Sequence, residues 1–520
     1  MPYTATDFDS GTRNDGMRTR WITGWLVYPF CIVLTMLVAA PVNAQTNPTG
    51  FSFLERGGVS LTTPGTSNTL GVGYARINQT AATAAGFATF GFRRNNVLVS
   101  EATVPAADYV TEGRIYAEIG NGVDTGIAIV NPTNDTVQIA FYFADSAGAL
   151  FGSSVATVPA RGQVVQFLSQ APFNAPSGLV GTFTFFALRS DPNTKVAALA
   201  IRGFTNERGD FLMTTLPIVP LQLAASFTGS TLPHFASGLG WTTQVVLINQ
   251  TENVLDGKIV FLDQAGQPIA VESELGSGSS FNYRVQAKSA FRLRTSDSAT
   301  LRVGSVRIGS IVPSGDLPVG FLIFSYRTGG VTVSATGVPP VRTASAARLF
   351  VEASSESGPG SIQTGIAIAN VSSASVHVSF DVTGLDGSST GLRGDLDIPS
   401  GGQAAKFLKE IPGLALLPVP FQGVLRISAP SASIAVIGLR GRNNERGEFL
   451  ASTVPTVNEN DQYFNSVLQY SPFVFPHFAD GGGYSTQFVL FSGWNSGSAS
   501  GSLEFFTPAG DVYPLELRPR

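Results

Sequence analysis

The chain has 520 residues, of which 43% are hydrophobic and only 13% charged, and its formal net charge is −4. This balance, together with the absence of any Lys or Arg run, excludes the concentration of positive charge that is typical of a nucleic-acid-binding protein. The apolar content supplies several cores, and the abundance of Gly (57) and Phe (37) favours short strands and tight turns over helices.

The N-terminal segment has the features of an export signal. Residues 21–40 are almost wholly apolar, follow Arg18 and Arg20, and lead to small residues ending at Ala44. This pattern predicts that residues 1–44 are a signal peptide and that the mature protein is exported, either secreted or held at the cell surface.

Two alternatives remain open for this segment. Twenty apolar residues are also long enough to cross a bilayer, so the protein would then be anchored by an uncleaved N-terminal transmembrane helix. Met17 is an alternative start that would give a short basic leader. The single cysteine, Cys31, lies within the segment, so a cleaved protein would have neither a disulfide nor a thiolate metal site.

The rest of the chain contains an internal repeat. The segment Thr-Gly-Ile-Ala-Ile-Val-Asn at 125–131 has counterparts that begin at Thr243, Thr364 and Thr486. The copies are spaced by 118, 121 and 122 residues (125 to 243, 243 to 364, 364 to 486). A fixed period of this size indicates tandem domains of about 120 residues.

A longer period shows that two types of unit alternate. The segment 202–212, which contains Asn-Glu-Arg-Gly, recurs at 440–450 and marks type A; Pro-His-Phe-Ala at 233–236 recurs at 476–479 and marks type B. The predicted boundaries are 107–222 for the first A-type unit, 223–342 for the B-type unit, 343–460 for the second A-type unit, and 45–106 and 461–520 for two halves of another B-type unit.

Within a unit the residues alternate as they do in a half-buried sheet. Val376, Val378, Phe380 and Val382 are separated by polar residues, which is the period of two expected of a strand. About seven short strands per unit, with turn residues every 8–12 positions, predict an all-β fold of tandem antiparallel β-sandwiches of immunoglobulin-like architecture. A single helical turn is expected only at 404–410.

The last B-type unit is divided between the two ends of the sequence. Residues 87–106 align without gaps to 321–340, so 51–106 resembles the second half of a B-type unit, whereas 476–520 resembles the first half. Either half alone exposes sheet edges. We therefore expect the halves to complete one another, within one chain or between chains as head-to-tail self-association. The alternative is a truncated or degenerate terminal repeat.

The candidate ligand-contacting residues lie in the two marker segments. The histidines of Pro-His-Phe-Ala stand beside a Gly-rich turn and an aromatic residue, and the Asn-Glu-Arg-Gly loops hold a local concentration of charge. A structural role is the favoured interpretation for both, with ligand contact as the alternative. The candidates are Trp241, His234, Tyr484, His477, Arg202, Glu207, Arg440 and Glu445.

No catalytic constellation, metal-ligand spacing or cofactor motif is present in the sequence. The units resemble the tandem β-sandwich modules of secreted or surface-exposed bacterial proteins. This resemblance implies a non-enzymatic structural or adhesive protein that acts as an extracellular spacer or interaction surface. Its expected partners are extracellular polysaccharides or cell-surface proteins, with the membrane involved only through an uncleaved N-terminal segment.

Two other functions are weighed. A carbohydrate-binding array would use exposed aromatic residues such as Trp241, Tyr484 and Trp494 to stack on sugar rings. A secreted hydrolase would need a site between units, for which the sequence offers no pair of facing carboxylates.

Overall fold

The fold was described from a computed structural model. The described residues are 48–81, 84–188, 194–221, 231–312, 315–355, 357–430, 433–459, 473–493 and 498–520. The predicted signal segment and Trp494 lie outside these ranges.

The strands fall into four units, which we name A1, B1, A2 and B2 after their sequence types. The N-terminal part of B2 contains β1 (Thr49–Phe53), β2 (Gly58–Thr62), β3 (Gly71–Ala81), β4 (Ala84–Arg94) and β5 (Val97–Pro105). Unit A1 contains β6 (Glu112–Gly120), β7 (Val123–Val130), β8 (Val137–Asp145), β9 (Leu150–Val158), β10 (Gln163–Phe167), β11 (Val180–Leu188), β12 (Ala197–Thr205), β13 (Phe211–Leu216) and β14 (Val219–Pro220).

The strands of the other units follow in chain order. Unit B1 contains β15 (Thr231–Ser237), β16 (Trp241–Ile248), β17 (Leu255–Leu262), β18 (Val271–Ser273), β19 (Gly276–Gly278), β20 (Ser280–Val285), β21 (Ala290–Arg294), β22 (Arg302–Ser310), β23 (Val319–Thr328) and β24 (Val331–Val338). Unit A2 contains β25 (Ala346–Ala353), β26 (Ile362–Asn370), β27 (Val376–Gly384), β28 (Ser389–Ile398), β29 (Gln403–Phe407), β30 (Phe421–Ser428), β31 (Ile434–Asn443), β32 (Phe449–Val454) and β33 (Val457–Asn458). The C-terminal part of B2 contains β34 (Phe473–Asp480), β35 (Tyr484–Ser492), β36 (Ala499–Phe506) and β37 (Arg518–Pro519).

Each unit is an antiparallel β-sandwich, as predicted. In B1 the first sheet has the order β15-β22-β17-β20 and the second has the order β21-β16-β23-β24. In A1 the corresponding layers are β14-β6-β11-β8-β9 and β10-β7-β12-β13, joined by a short pairing of β6 with β7. The helical turn expected at 404–410 is a single 3-10 turn over Leu408–Glu410, preceded by β29.

The two halves of B2 complete one sandwich within the chain. Its first sheet has the order β34-β3-β36-β1, and its second contains β2-β35-β4-β5. Strand for strand, this is the order found in B1. The ladders between the halves are long, because β35 pairs with β4 from Tyr484↔Phe92 to Ser492↔Ala84. Closure within the chain, rather than an unfinished repeat, is therefore the arrangement observed.

The first residue of the repeated Thr-Gly-Ile-Ala-Ile motif ties the two sheets of each unit together. In every unit this threonine is buried, accepts a hydrogen bond from a backbone N–H of the preceding strand and donates its hydroxyl to the carbonyl of the same residue. The pairs are Thr125 with Glu118, Thr243 with Ala236, Thr364 with Glu352, and Thr486 with Ala479.

The last residue of the motif stabilises the turn that follows the strand. The Asn249 side-chain amide donates to three backbone carbonyls, and its Oδ1 accepts from the N–H and the hydroxyl of Thr251. Asn131 and Asn370 make the same set of bonds in A1 and A2. This network explains why asparagine recurs at the end of the motif.

The strand that carries the motif is buried on both faces because neighbouring units pack on it. In β16, Val245 and Leu247 lie in the core of B1, whereas Val246 and Ile248 lie in the core of A1. The same sharing continues around the protein: Ala367 and Ile437 of A2 pack into the core of B1, Val489 and Phe491 of B2 into that of A2, and Val130 and Ala197 of A1 against Val474 and Phe506 of B2. The four units therefore close into a ring.

A glycine turn from each unit docks on a loop of the next one. Gly510 of B2 has φ +93°, and a Cβ built on it would lie 2.1 Å from the carbonyl oxygen of Ala160 in A1. The equivalent approaches are Gly148 to Gln286, Gly266 to Ser400 and Gly387 to Glu55. Glycine is needed at these turns both for the positive φ and for the close approach.

The final strands of the units meet at the centre of the ring. Strand β13 lies against β5 and β24, and β32 lies against β24 and β5. Side-chain hydroxyls accept hydrogen bonds from the backbone at these strand edges: the Met213 N–H donates to Ser100 Oγ at 2.8 Å, and the Ala451 N–H donates to Ser334 Oγ at 2.9 Å. Strand edges that would otherwise need covering are thus satisfied by polar contacts between units.

Closure within one chain predicts a specific disulfide. Ser52 of β1 lies directly opposite Ser500 of β36, and opposed residues are the cross-strand pairs whose Cβ atoms come nearest to the separation of a disulfide. In a Cys31→Ser background, the Ser52→Cys, Ser500→Cys protein should form an intramolecular bond and migrate as a compact monomer on a non-reducing gel.

The matched control pairs Ser52→Cys with Ser502→Cys, because Ser502 lies opposite Gly50 and is a diagonal neighbour too distant for efficient bonding. A ladder of disulfide-linked multimers from the opposed pair in dilute protein would instead mean that the halves associate between chains.

The docking turns predict a second measurable effect. Gly510→Ala should lower the free energy of unfolding by at least twice as much as Gly447→Ala. Both glycines have positive φ, a conformation that costs a Cβ-bearing residue about 1–2 kcal/mol. Only Gly510 also abuts a neighbouring backbone, whereas nothing lies within 4 Å of a Cβ on Gly447. Urea denaturation of both variants measures the difference; equal losses would argue against a tight contact between B2 and A1.

Candidate functional site

The Asn-Glu-Arg-Gly loops lie at the hairpins that lead into the central strands, where charged side chains form a cluster that we call the charged rim. In both A units an asparagine side chain fixes the backbone of this turn. Asn206 Oδ1 accepts from the backbone N–H groups of Arg208 and Asp210, and Asn444 Oδ1 accepts from those of Arg446 and Glu448. The rim consists of Arg93, Arg94, Glu207, Arg208, Asp210, Arg327, Glu445, Arg446 and Glu448.

The two A-type loops bind one another reciprocally across the rim. Arg208 of A1 pairs with Glu448 of A2 at 2.7 Å, and Arg446 of A2 pairs with Asp210 of A1 at 2.8 Å. Burial raises the pKa of the Asp210 carboxyl, but hydrogen bonds from Arg446 and Arg208 outweigh it and lower that pKa below its usual value. These charges are therefore engaged with each other rather than held ready for a ligand.

The predicted candidates Glu207 and Glu445 clamp the neighbouring B-unit hairpins. Glu207 accepts the backbone N–H of Thr332 at 2.7 Å, and Glu445 accepts that of Leu98 at 2.8 Å and the Arg93 guanidinium at 2.7 Å. Partial burial raises the pKa of the Glu445 carboxyl, but the hydrogen bonds from the Leu98 amide and Arg93 outweigh it and lower that pKa to about 2. Both carboxylates fix the rim between units.

The predicted candidates Arg202 and Arg440 are buried in ion pairs beneath the rim. Arg202 pairs with Glu118 at 3.0 Å, and Glu118 also accepts Arg292 of B1 at 2.8 Å. Arg440 is only 3% exposed, so it does not reach solvent as a ligand-binding residue of a loop would.

Arg440 joins A2 to B2. It contacts Glu352 of its own unit at 3.3 Å and also binds Glu101 of β5. Arg442 adds a second cation at 3.0 Å from Glu101, and Arg520 lies 3.1 Å from Glu352. Burial raises the pKa of Glu101, but Arg440 and Arg442 together lower it overall. Carboxylates and cations therefore neutralise one another inside the protein.

The aromatic candidates differ from expectation. The prediction that Tyr484 is an exposed aromatic residue is wrong: it is 2% exposed and stacks on Phe92 with ring centroids 4.5 Å apart. Trp241 is half-buried and stacks on Tyr326 at 4.7 Å, with Phe449 of A2 at its edge. The stacking partner sits opposite each residue in the ladder, which the sequence alone does not reveal.

The histidine candidates lie at the contact between a B unit and the A unit that follows it in the ring. His234 is half-buried; the Gln403 amide of A2 lies 3.1 Å from its Nδ1, and Phe324 meets the ring edge-on. His477 is 1% exposed and meets Phe90 in the same manner. Burial lowers the pKa of each imidazole to about 4, so both are neutral at ordinary pH.

Two acidic residues central to these clusters were missed by the sequence analysis. Glu118 and Glu352 are buried, and each lies four residues after a buried arginine in the same strand, Arg114 or Arg348. The recurrence of Arg-x-x-x-Glu in both A units, at positions where B units have no charge, is the signal that would have identified them.

No group of three or more His, Cys, Asp and Glu side chains within the described residues could hold a metal ion. Within the same ranges, no helix has the length and apolar character needed to cross a membrane.

Comparison with known proteins identifies no family. No family model and no curated protein matches the chain. Among solved structures, the viral chemokine-binding protein R17 of rodent gammaherpesvirus Peru aligns with 7% identity and a TM-score of 0.15, covering 71% of this chain and 96% of that one. The infectious bursal disease virus Gx strain structure aligns with 10% identity and a TM-score of 0.12, covering 80% and 84%.

The buried histidines predict acid sensitivity. A histidine whose folded-state pKa is lowered stabilises the fold fully above its unfolded pKa of 6.5, and this contribution is lost as the pH falls towards 4. For His477 the loss at pH 4 is about 3 kcal/mol, since one pKa unit corresponds to about 1.4 kcal/mol.

The unfolding free energy of wild-type protein, measured by urea denaturation from pH 7 to pH 4, should therefore fall more steeply than that of His477→Phe. Identical slopes for wild type and His477→Phe would show that His477 is not desolvated in the folded protein.

Proposed function

We propose that this protein is an exported, non-enzymatic structural or adhesive protein that acts as an extracellular interaction platform. The observation that carries the proposal is that its charged side chains form ion pairs between units. Charged side chains of the two Asn-Glu-Arg-Gly loops pair with one another across unit boundaries, as in the reciprocal bridges between Arg208 and Glu448 and between Arg446 and Asp210.

Closure of the ring favours a platform over an extended spacer. A spacer gains length by stringing units end to end, whereas here each unit packs on two neighbours and shares its core with them. Interlocked sandwiches give a stiff body, because loosening one unit disturbs the apolar contacts of the next. A stiff body that exposes its outer strands suits repeated contact with another surface.

Export remains part of the proposal and rests on the sequence of residues 1–44. Cells expressing the full gene should release, or display, a protein whose first residue is near Gln45, as determined by N-terminal sequencing. Retention of residues 1–44 on a surface-displayed protein would favour the anchored alternative, and recovery of all protein inside the cell would contradict export.

Carbohydrate binding is the second candidate, and the partly exposed Trp241 is the observation that favours it. Labelled protein should be tested for binding to whole cells and to a panel of purified polysaccharides. The adhesive proposal predicts binding to cells that protease treatment of those cells abolishes and that Trp241→Ala leaves intact. Polysaccharide binding that is lost in Trp241→Ala would favour the carbohydrate module; turnover of any glycan would contradict the non-enzymatic assignment.

A further inference from the structure

The outer edge of A1 is formed by a long strand with one partner. Strand β9 ends the order β14-β6-β11-β8-β9 and pairs only with β8 among the described strands. Its residues are largely exposed, including Leu150 at 53% and Val155 at 46%. Within the described ranges, no strand pairs with the backbone groups on its far side, which is the arrangement that can accept another strand.

The equivalent strand of A2 differs in charge at matching positions. The two strands can be aligned through their ladders, because Ser154 lies opposite Phe141 in A1 and Gly394 lies opposite Phe380 in A2. This alignment places the exposed residues Ser153, Val155 and Thr157 of β9 against Arg393, Asp395 and Asp397 of β28.

The other outer edges have the features that protect a sheet from pairing. Charged side chains, short strands and bulges all discourage an incoming strand. Strand β28 carries the three charges, β20 carries Arg284 bridged to Asp256, and β1 is only five residues long. Strand β9 has nine residues and no charge or proline; its register shift falls between Phe151 and Ser154, and 154–158 pair regularly with β8.

We propose that β9 is a docking edge for β9 of a second copy of this chain, paired antiparallel about a two-fold axis near Val155. Two-fold pairing brings the same residues opposite one another, so a charged edge such as that of β28 would place Asp395 beside its own copy. An uncharged strand rich in small and β-branched residues pairs with itself without that repulsion. This contact goes beyond the proposed function and does not depend on it.

Charge at the edge should weaken the contact without disturbing the fold. Val155 is exposed, so Val155→Lys keeps the core intact while placing like charges together at the two-fold axis. Wild-type protein should sediment as a monomer–dimer mixture between 1 and 100 µM, in the range of about micromolar association. Val155→Lys should raise the dissociation constant by about tenfold or more.

Matched variants distinguish edge pairing from other association. Val254→Lys makes the same change at an exposed loop of B1 and should dimerise like wild type. In a Cys31→Ser background, Val155→Cys should yield a disulfide-linked dimer under mild oxidation, whereas Val254→Cys should not. A wild-type protein that stays monomeric at 100 µM, or a dimer equally sensitive to both lysine variants, would overturn the proposal.

Discussion

The structure depends on one constraint: the strand that carries the repeated motif has apolar residues on both faces in every unit. In β16 the residues facing outward from B1, Val246 and Ile248, are as fully buried as those facing its own core. A row of such sandwiches would leave an apolar sheet in water at one end and an uncovered first sheet at the other. A heterologous contact that repeats either propagates or closes, and a ring of four units supplies every sheet with a neighbour.

The N- and C-terminal parts of the chain meet inside B2, and we call this place the junction of the ring. Its position follows from the strength of the available contacts. Between units, the contacts are apolar faces, glycine turns, ion pairs and isolated hydrogen bonds. Within B2 the chain instead closes through complete ladders, since β34 pairs with β3, β36 with β3 and β1, and β35 with β2 and β4. A junction inside a sandwich thus combines a shared core with continuous backbone hydrogen bonding, which a junction between two finished sandwiches would lack.

The sequence predicted the strands, the repeat and the divided unit because each leaves a local or periodic mark. It could not show that the Thr-Gly-Ile-Ala-Ile strands are buried on both faces, since an unbroken apolar run is compatible with burial of one face or of both. The misplacement of Tyr484 has the same origin: its stacking partner, Phe92, is separated from it by nearly the whole chain. Glu118 was overlooked because its partners, Arg202 and Arg292, lie on other strands and, in one case, in another unit.

Buried charge distinguishes the A units from the B units and so bears on their alternation. In the A units, the first threonine of the repeated motif lies opposite Arg202 or Arg440 on the neighbouring strand. In the B units, the same threonine lies opposite Phe324 or Phe90. The residue whose backbone is hydrogen-bonded to this threonine is a glutamate in the A units and an alanine, Ala236 or Ala479, in the B units. Removing one partner of a buried ion pair leaves an uncompensated charge, at a cost of about 3–5 kcal/mol. A B unit in place of A2 would leave Glu101 of B2 without Arg440, so the buried ion pairs favour strict alternation around the ring.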